Sequence, residues 1–137
     1  MIALILAASV AALAVLLNFE ALLLIDKVAR RIAKPRKALV TIWLGLLTAH
    51  SIEIWLYAGA YWLSVQLGFG ELQGVVSDID YVYFSSVVYS TLGFGDILPS
   101  QPLRMLAGTE AVVGLCLIAW SATATYSFMQ EHMSKLK

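Results

Sequence analysis

Apolar residues fall into three long runs, residues 2–25, 38–66 and 103–129, separated by shorter polar segments. At about 1.5 Å per residue each run, as a helix, crosses a hydrocarbon layer of about 30 Å. The pattern predicts three transmembrane helices. Residues 67–80, "LGFGELQGVVSDID", are rich in Gly and acids and read as an exposed loop. The next stretch, "YVYFSSVVYST" over residues 81–91, is apolar but too short to span. Its β-branched residues and tyrosines favour a strand slightly. A lone strand would have no sheet to join, however, and an open backbone edge cannot face lipid. A re-entrant helix is therefore expected, with Asp78 and Asp80 placed to cap its start and meet its positive dipole end. Such a helix descends about 16 Å, and about five extended residues bring the chain back. "TLGFG" supplies that return, with Asp96 at the surface. The fold class is thus all-α and membrane-embedded.

Composition agrees, because 61% of the 137 residues are apolar, above the usual globular share of about 45–50%. The "AALA" of the first run resembles a signal cleavage site, but no Lys or Arg precedes it and the apolar run continues, so a retained span is expected. Net charge is zero yet unevenly spread. Lys27, Arg30, Arg31, Lys34, Arg36 and Lys37 crowd the segment between the first two spans, and Lys135 and Lys137 lie in the tail. Residues 67–103 hold Glu71, Asp78, Asp80 and Asp96 but no Lys or Arg. Short basic loops stay cytoplasmic. The amino terminus is expected outside and the tail 130–137 inside, in a plasma or cell inner membrane. Pro35 interrupts any continuous helix through the basic loop 27–37. Cys116, the lone cysteine, can form no intrachain disulfide and reads as core packing. Nothing points to nucleic acid or to a small-molecule substrate.

Two segments carry Leu-Gly-Phe-Gly followed by an acid: "LGFGE" at 67–71 and "LGFGD" at 92–96. Extended backbone at membrane depth must be buried in protein or line a water-filled path, and its carbonyls need partners. Dehydrated cations can fill that role. For successive carbonyls to face one way, the backbone must alternate between ordinary and left-handed dihedrals, which Gly93 and Gly95 allow without Cβ strain. Thr91 adds a hydroxyl oxygen at the inner end, and its helix aims a negative dipole end at the space below. The first copy follows directly on the second span, has Gln66 where the second has Thr91, and reads as a flexible outer turn.

"YFSSVVYSTLGFGDILP" resembles the pore helix and selectivity filter of the potassium channel superfamily, and is similar to its Thr-X-Gly-(Tyr/Phe)-Gly-Asp signature. With its flanking spans, residues 38–129 resemble the pore-only, two-helix branch, with residues 1–26 as an additional N-terminal helix. The resemblance implies a homotetramer passing K+ ions, with no other cofactor and no catalysis. Ions would be held by carbonyls of Thr91, Leu92, Gly93 and Phe94, with Gly95 completing the strip and Asp96 at the outer mouth. It further implies that 103–129 lines the pore, with Gly114 near the family's hinge and Leu115, Ile118 and Ala122 on the cavity wall. Leu92 stands where Val is usual, Phe94 lacks a tyrosine's hydroxyl, and Val87 stands where some relatives place a carboxylate; filter rigidity is the property these departures touch. A weakly selective cation pore of the same build and a non-conducting subunit are the alternative readings.

"HSIEIW" puts His50 and Glu53 on one face deep in the second span, about 18 and 22 Å from its inner edge. Glu110 falls at about 20 Å, so the three are expected to meet. Ionisable groups at that depth are costly and mark a paired network or a functional site. One reading is a hydrogen-bonded network supporting the filter from behind, and a sharper one is a proton sensor. A metalloenzyme using His50, Glu53, Glu110 and Glu20 is the reading from another class, and it lacks a second histidine within a span because His132 lies in the tail. Asn18 and Glu20 suit snorkelling or helix pairing. Tyr57, Tyr61 and Trp62 suit an interfacial aromatic belt, and the basic loop suits anionic lipid headgroups. No span carries arginines at every third position, as a voltage-sensing helix would.

Overall fold

The computed structural model describes residues 2–134. Four helices and one two-residue strand pair follow in the order α1 (Ile2–Ala29), α2 (Pro35–Gln66), β1 (Leu72–Gln73), α3 (Ile79–Tyr89), β2 (Leu98–Pro99) and α4 (Gln101–Ser134). Three of these helices, α1, α2 and α4, are long and apolar enough to cross a membrane. The expected boundary at residue 129 is passed: α4 runs on through Ser134, so the first part of the predicted tail is helical. Lys135 and Lys137 lie outside the described residues, as does the side chain of His132.

Helix α1 lies against both α2 and α4, and α3 wedges between α2 and α4 near the end of the bundle that carries the strip 91–96. Periodicity explains these contacts. Ala7, Val10 and Ala14 are buried with Tyr57, Ala58 and Tyr61 of α2, and Leu22, Ile25 and Ala29 with Ile42 and Leu46. Both α1 sets repeat at three and four residues, which makes one face of a helix. At the lower contact Gly45 lets α2 approach closely, since a Cβ there would stand 2.7 Å from Ile25 Cγ1. Small residues serve this purpose where lipid offers no hydrophobic drive. Asn18 is fully buried, and its amide faces Ser121 Oγ of α4 at 3.5 Å, so helix pairing accounts for it. Glu20 instead stays exposed on α1.

At the basic end Pro35 occupies the first turn of α2 and Lys34 before it is extended, as a residue preceding proline prefers. Arg30 bonds Asp26 at 2.8 Å and Glu131 of α4 at 2.7 Å, tying the ends of α1 and α4. At the other end β1 pairs antiparallel with β2, and Ser100 exchanges bonds with the Glu71 backbone. The first Leu-Gly-Phe-Gly is therefore exposed from Leu67 to Phe69 but held at its Gly70 end. Gly70, at φ +145°, leaves no space for a Cβ, which would meet Ser100 Oγ at 2.8 Å and Leu103 Cγ at 2.9 Å.

Candidate functional site

The strip begins where α3 ends, and a helix cap forms the join. The Thr91 amide bonds the Val88 carbonyl and the Leu92 amide bonds the Val87 carbonyl, with Thr91 itself at φ +60°. This is a Schellman closure, in which the residue after the C-cap is left-handed. Glycine usually takes that place. A β-branched residue there is a true outlier, at a cost of about 1–2 kcal/mol. The Gly93 amide also reaches the Val87 carbonyl, at 3.3 Å. Positive φ then recurs at Gly93 (+59°) and Gly95 (+78°), while Leu92 and Phe94 between them are not positive. The alternation expected of the two glycines is present, and Thr91 extends it by one residue that glycine-based reasoning missed.

Every residue from Ser90 to Asp96 is exposed in the single chain, including Leu92 at 58% and Phe94 at 65%. Leu115, Ile118 and Ala122 are exposed on α4 as well. Cys116 joins them on the surface, which corrects its assignment to the core. Beyond the strip, Tyr83 of α3 donates to Asp96 Oδ2 at 2.7 Å, so α3 reaches the top of the strip through a hydroxyl although Phe94 has none. At the start of α3 the expected Asp78 cap is absent. Asp80 instead reaches back to the loop before the helix, where its carboxylate accepts the amides of Val76 and Ser77 at 2.7 and 2.9 Å. Those two amide bonds hold the Asp80 carboxyl below the usual aspartate range.

Behind the strip lie two buried polar clusters, not the single one expected. In the first, the Tyr89 hydroxyl donates to Glu53 Oε2, and His50 Nδ1 lies 2.9 Å from that oxygen and 3.0 Å from the hydroxyl. In the second, Glu110 receives Tyr61 OH at Oε2 and meets Ser85 Oγ at Oε1, both at 2.5 Å. Ser85 also reaches the Ile54 carbonyl of α2 at 2.8 Å. Glu110 thus does not join His50 and Glu53. Position along α3 decides the grouping, since Ser85 and Tyr89 share one face of α3 about 6 Å apart along its axis and each takes its own carboxylate.

One further expectation is corrected here. Tyr57 and Tyr61 are fully buried and turned towards these clusters, leaving only Trp62 exposed as a belt residue. Gly114 does not share the exposed face of Leu115, Ile118 and Ala122. It is buried within an unbroken α4, and a Cβ added to it would fall on the Tyr89 carbonyl oxygen. Glu53 comes from α2 and Glu110 from α4, the two helices that flank α3. The described residues contain no group of three His, Cys, Asp or Glu able to hold a metal, so the metalloenzyme's donor set is not brought together.

A short helix descending between two long ones, a strip of alternating handedness, and a following long helix form an ordered arrangement over residues 35–134. A family described as "Ion channel" matches residues 38–131, covering both long helices and the strip between them. The chain belongs to the ion channel family. Comparison with curated proteins and with solved structures gives no match. In this channel α1 lies outside the matched region, yet it is packed against both of the long helices within it.

Proposed function

We propose that four copies of this channel surround one axis and conduct K+ passively through the strip Thr91–Gly95. The observation that carries the reading is the alternation of positive φ at Thr91, Gly93 and Gly95. A change of hand at successive residues turns carbonyls that would point alternately in a strand towards one side, the arrangement a dehydrated cation needs. The carbonyls of Thr91, Leu92, Gly93 and Phe94, with the Thr91 hydroxyl, form the ion sites, and Asp96 sits at the outer mouth. One strip cannot enclose an ion. Exposure of apolar Leu92 and Phe94 on a single chain is in keeping with a surface that other copies cover. Leu115, Ile118 and Ala122 then face the cavity. The basic segment from Lys27 to Lys37 lies in the cytoplasm against anionic lipid headgroups, which places the amino terminus and the strip's Asp96 end outside.

Reconstitution into planar bilayers under opposed Na+ and K+ gradients tests the reading. A reversal potential near the K+ equilibrium value is expected, and Gly93→Ala, which forces a side chain into a left-handed position, should abolish it. A potential midway between the two ions gives a weakly selective pore. No current from protein that chemical cross-linking shows to be tetrameric gives a non-conducting subunit and ends the K+ proposal.

A further inference from the structure

Ser85 has one hydroxyl proton and two close oxygen neighbours. Its Oγ stands 2.8 Å from the Ile54 carbonyl oxygen and 2.5 Å from Glu110 Oε1. A carbonyl only accepts, and an ionised carboxylate only accepts, so one Ser85 proton cannot serve both. With Glu110 ionised, one of the two contacts would press lone pair against lone pair with no hydrogen between them. On its other side Glu110 Oε2 meets the Tyr61 hydroxyl at 2.5 Å. The residue is fully buried, and none of its described partners is basic.

We propose that Glu110 is a positioning residue that works as a neutral carboxylic acid. Tyr61 donates to Oε2, the proton on Oε1 goes to Ser85 Oγ, and the Ser85 proton goes to the Ile54 carbonyl. Every oxygen is then served, and hydrogen bonds run in one direction from α4 through α3 to α2. The relay grips the re-entrant helix one turn before Tyr89, and Tyr89 is two residues before Thr91. Gly114, one turn further along α4 than Glu110, seats the Tyr89 carbonyl. The acid therefore sets the register of α3 between its two neighbours, and with it the inner end of the strip. Removing the proton makes Ser85 turn to the carboxylate and leaves the Ile54 contact without a hydrogen, which loosens α3 from α2 at that turn while Tyr89 keeps its contacts with Glu53 and His50. Conduction should accordingly fall where Glu110 loses its proton.

The titratable groups around Glu110 are Tyr61 and Tyr57 from α2 and Tyr89 from α3, with Glu53 and His50 in the neighbouring cluster. Among the described residues α1 adds none to either cluster. The flux consequence rests on the channel reading above, whereas the position of the proton does not.

Infrared difference spectra of the full chain in lipid test the proton directly. At neutral pH the parent should show a protonated-carboxyl band that is lost in Glu110→Gln and kept in Glu53→Gln. An amide can donate to Ser85 and accept from Tyr61, so K+ flux in Glu110→Gln should stay within about twofold of the parent at neutral pH and show no fall at the pH where the parent loses the band. Glu110→Leu, which can do neither, should lose about tenfold or more. Absence of the band in the folded parent, or its survival in Glu110→Gln, overturns the proposal. Should Glu110→Gln fail to assemble, loss of the band in Glu53→Gln moves the proton to Glu53 and overturns it equally, while persistence there supports it. A parent that shows the assigned band but passes no K+ keeps the relay and removes the conduction reading.

Discussion

Gly114→Ala is the most informative single change in this channel, because one methyl group must find space where backbone already lies. The new Cβ would fall on the Tyr89 carbonyl oxygen and stand 3.0 Å from Cγ and Cδ2 of the same residue. A flexible side chain could step aside, but this obstacle is main chain at the end of α3, held by Glu53 at Tyr89 and by Glu110 at Ser85. Relief requires α3 and α4 to separate by on the order of 1 Å, and overpacking of this kind costs about 1–3 kcal/mol. Alanine recovers about 0.8–1 kcal/mol of helix propensity, which leaves a net loss of about 2 kcal/mol at the upper end. Gly59→Ala provides the control. Nothing in the chain lies within 4 Å of the Cβ it would add, so the propensity gain stands alone. The two variants should differ by about 1–3 kcal/mol, roughly 2–12 °C in unfolding midpoint for a chain of this size. Thermal unfolding followed by size-exclusion of detergent-solubilised protein measures the gap, and K+ flux measures whether the strip has moved. If Gly114→Ala melts with or above Gly59→Ala and conducts as the parent does, the seating of Tyr89 on α4 is refuted.

Two other predictions address the edges of the site. Asp80 has a folded-state carboxyl pKa lowered by the amides of Val76 and Ser77, so its stabilising effect is present above the ordinary aspartate value and is lost as pH falls through the lowered one. Amide exchange of Val76 and Ser77 should therefore quicken only on acidification below the ordinary aspartate range, and Asp80→Asn should show that quickening already at neutral pH. The Tyr57 hydroxyl is buried with no hydrogen-bond partner among the described residues. Tyr57→Phe should accordingly leave the unfolding midpoint unchanged or raise it by an amount equivalent to about 1 kcal/mol, and a clear fall would assign that hydroxyl a bond.

Much of this architecture could be read from the order of residues because the bilayer leaves few options. Run length identified α1, α2 and α4, and Gly93 with Gly95 identified the strip. Depth arithmetic then misled at α2. Tyr57 and Tyr61 lie near the end of that span, where aromatic residues commonly meet the interface, and they were assigned there. Angle was the better guide: Glu53, Tyr57 and Tyr61 repeat every four residues, in phase with buried Leu46 and Ala49, and so share the inward face. Glu110 was placed beside His50 and Glu53 by the same arithmetic, whereas it meets Ser85, one turn of α3 away from the Tyr89 that Glu53 takes. Three features had weaker signals. The left-handed Thr91 depends on a cap that a β-branched residue seldom occupies, and Asp80 rather than Asp78 takes the amides because the chain bends before α3 starts. Gly114 looked like a point of freedom because a glycine within a helix removes a side chain from view, yet here the missing side chain is the fit itself.

The closure at Val87 has a consequence for how this molecule can vary. One carbonyl receives the amides of both Leu92 and Gly93, so the spacing between the last turn of α3 and the first glycine is fixed by ring size. Insertion or deletion of a single residue there would rotate every later carbonyl out of phase. Past Asp96 the described residues show no such ring, and the chain is held by buried Ile97, the brief β1–β2 pairing and bonds from Ser100 and Arg104. Length changes among descendants of this sequence should therefore collect on the Asp96 side of the strip, and its count of residues should always be reckoned from the helix below.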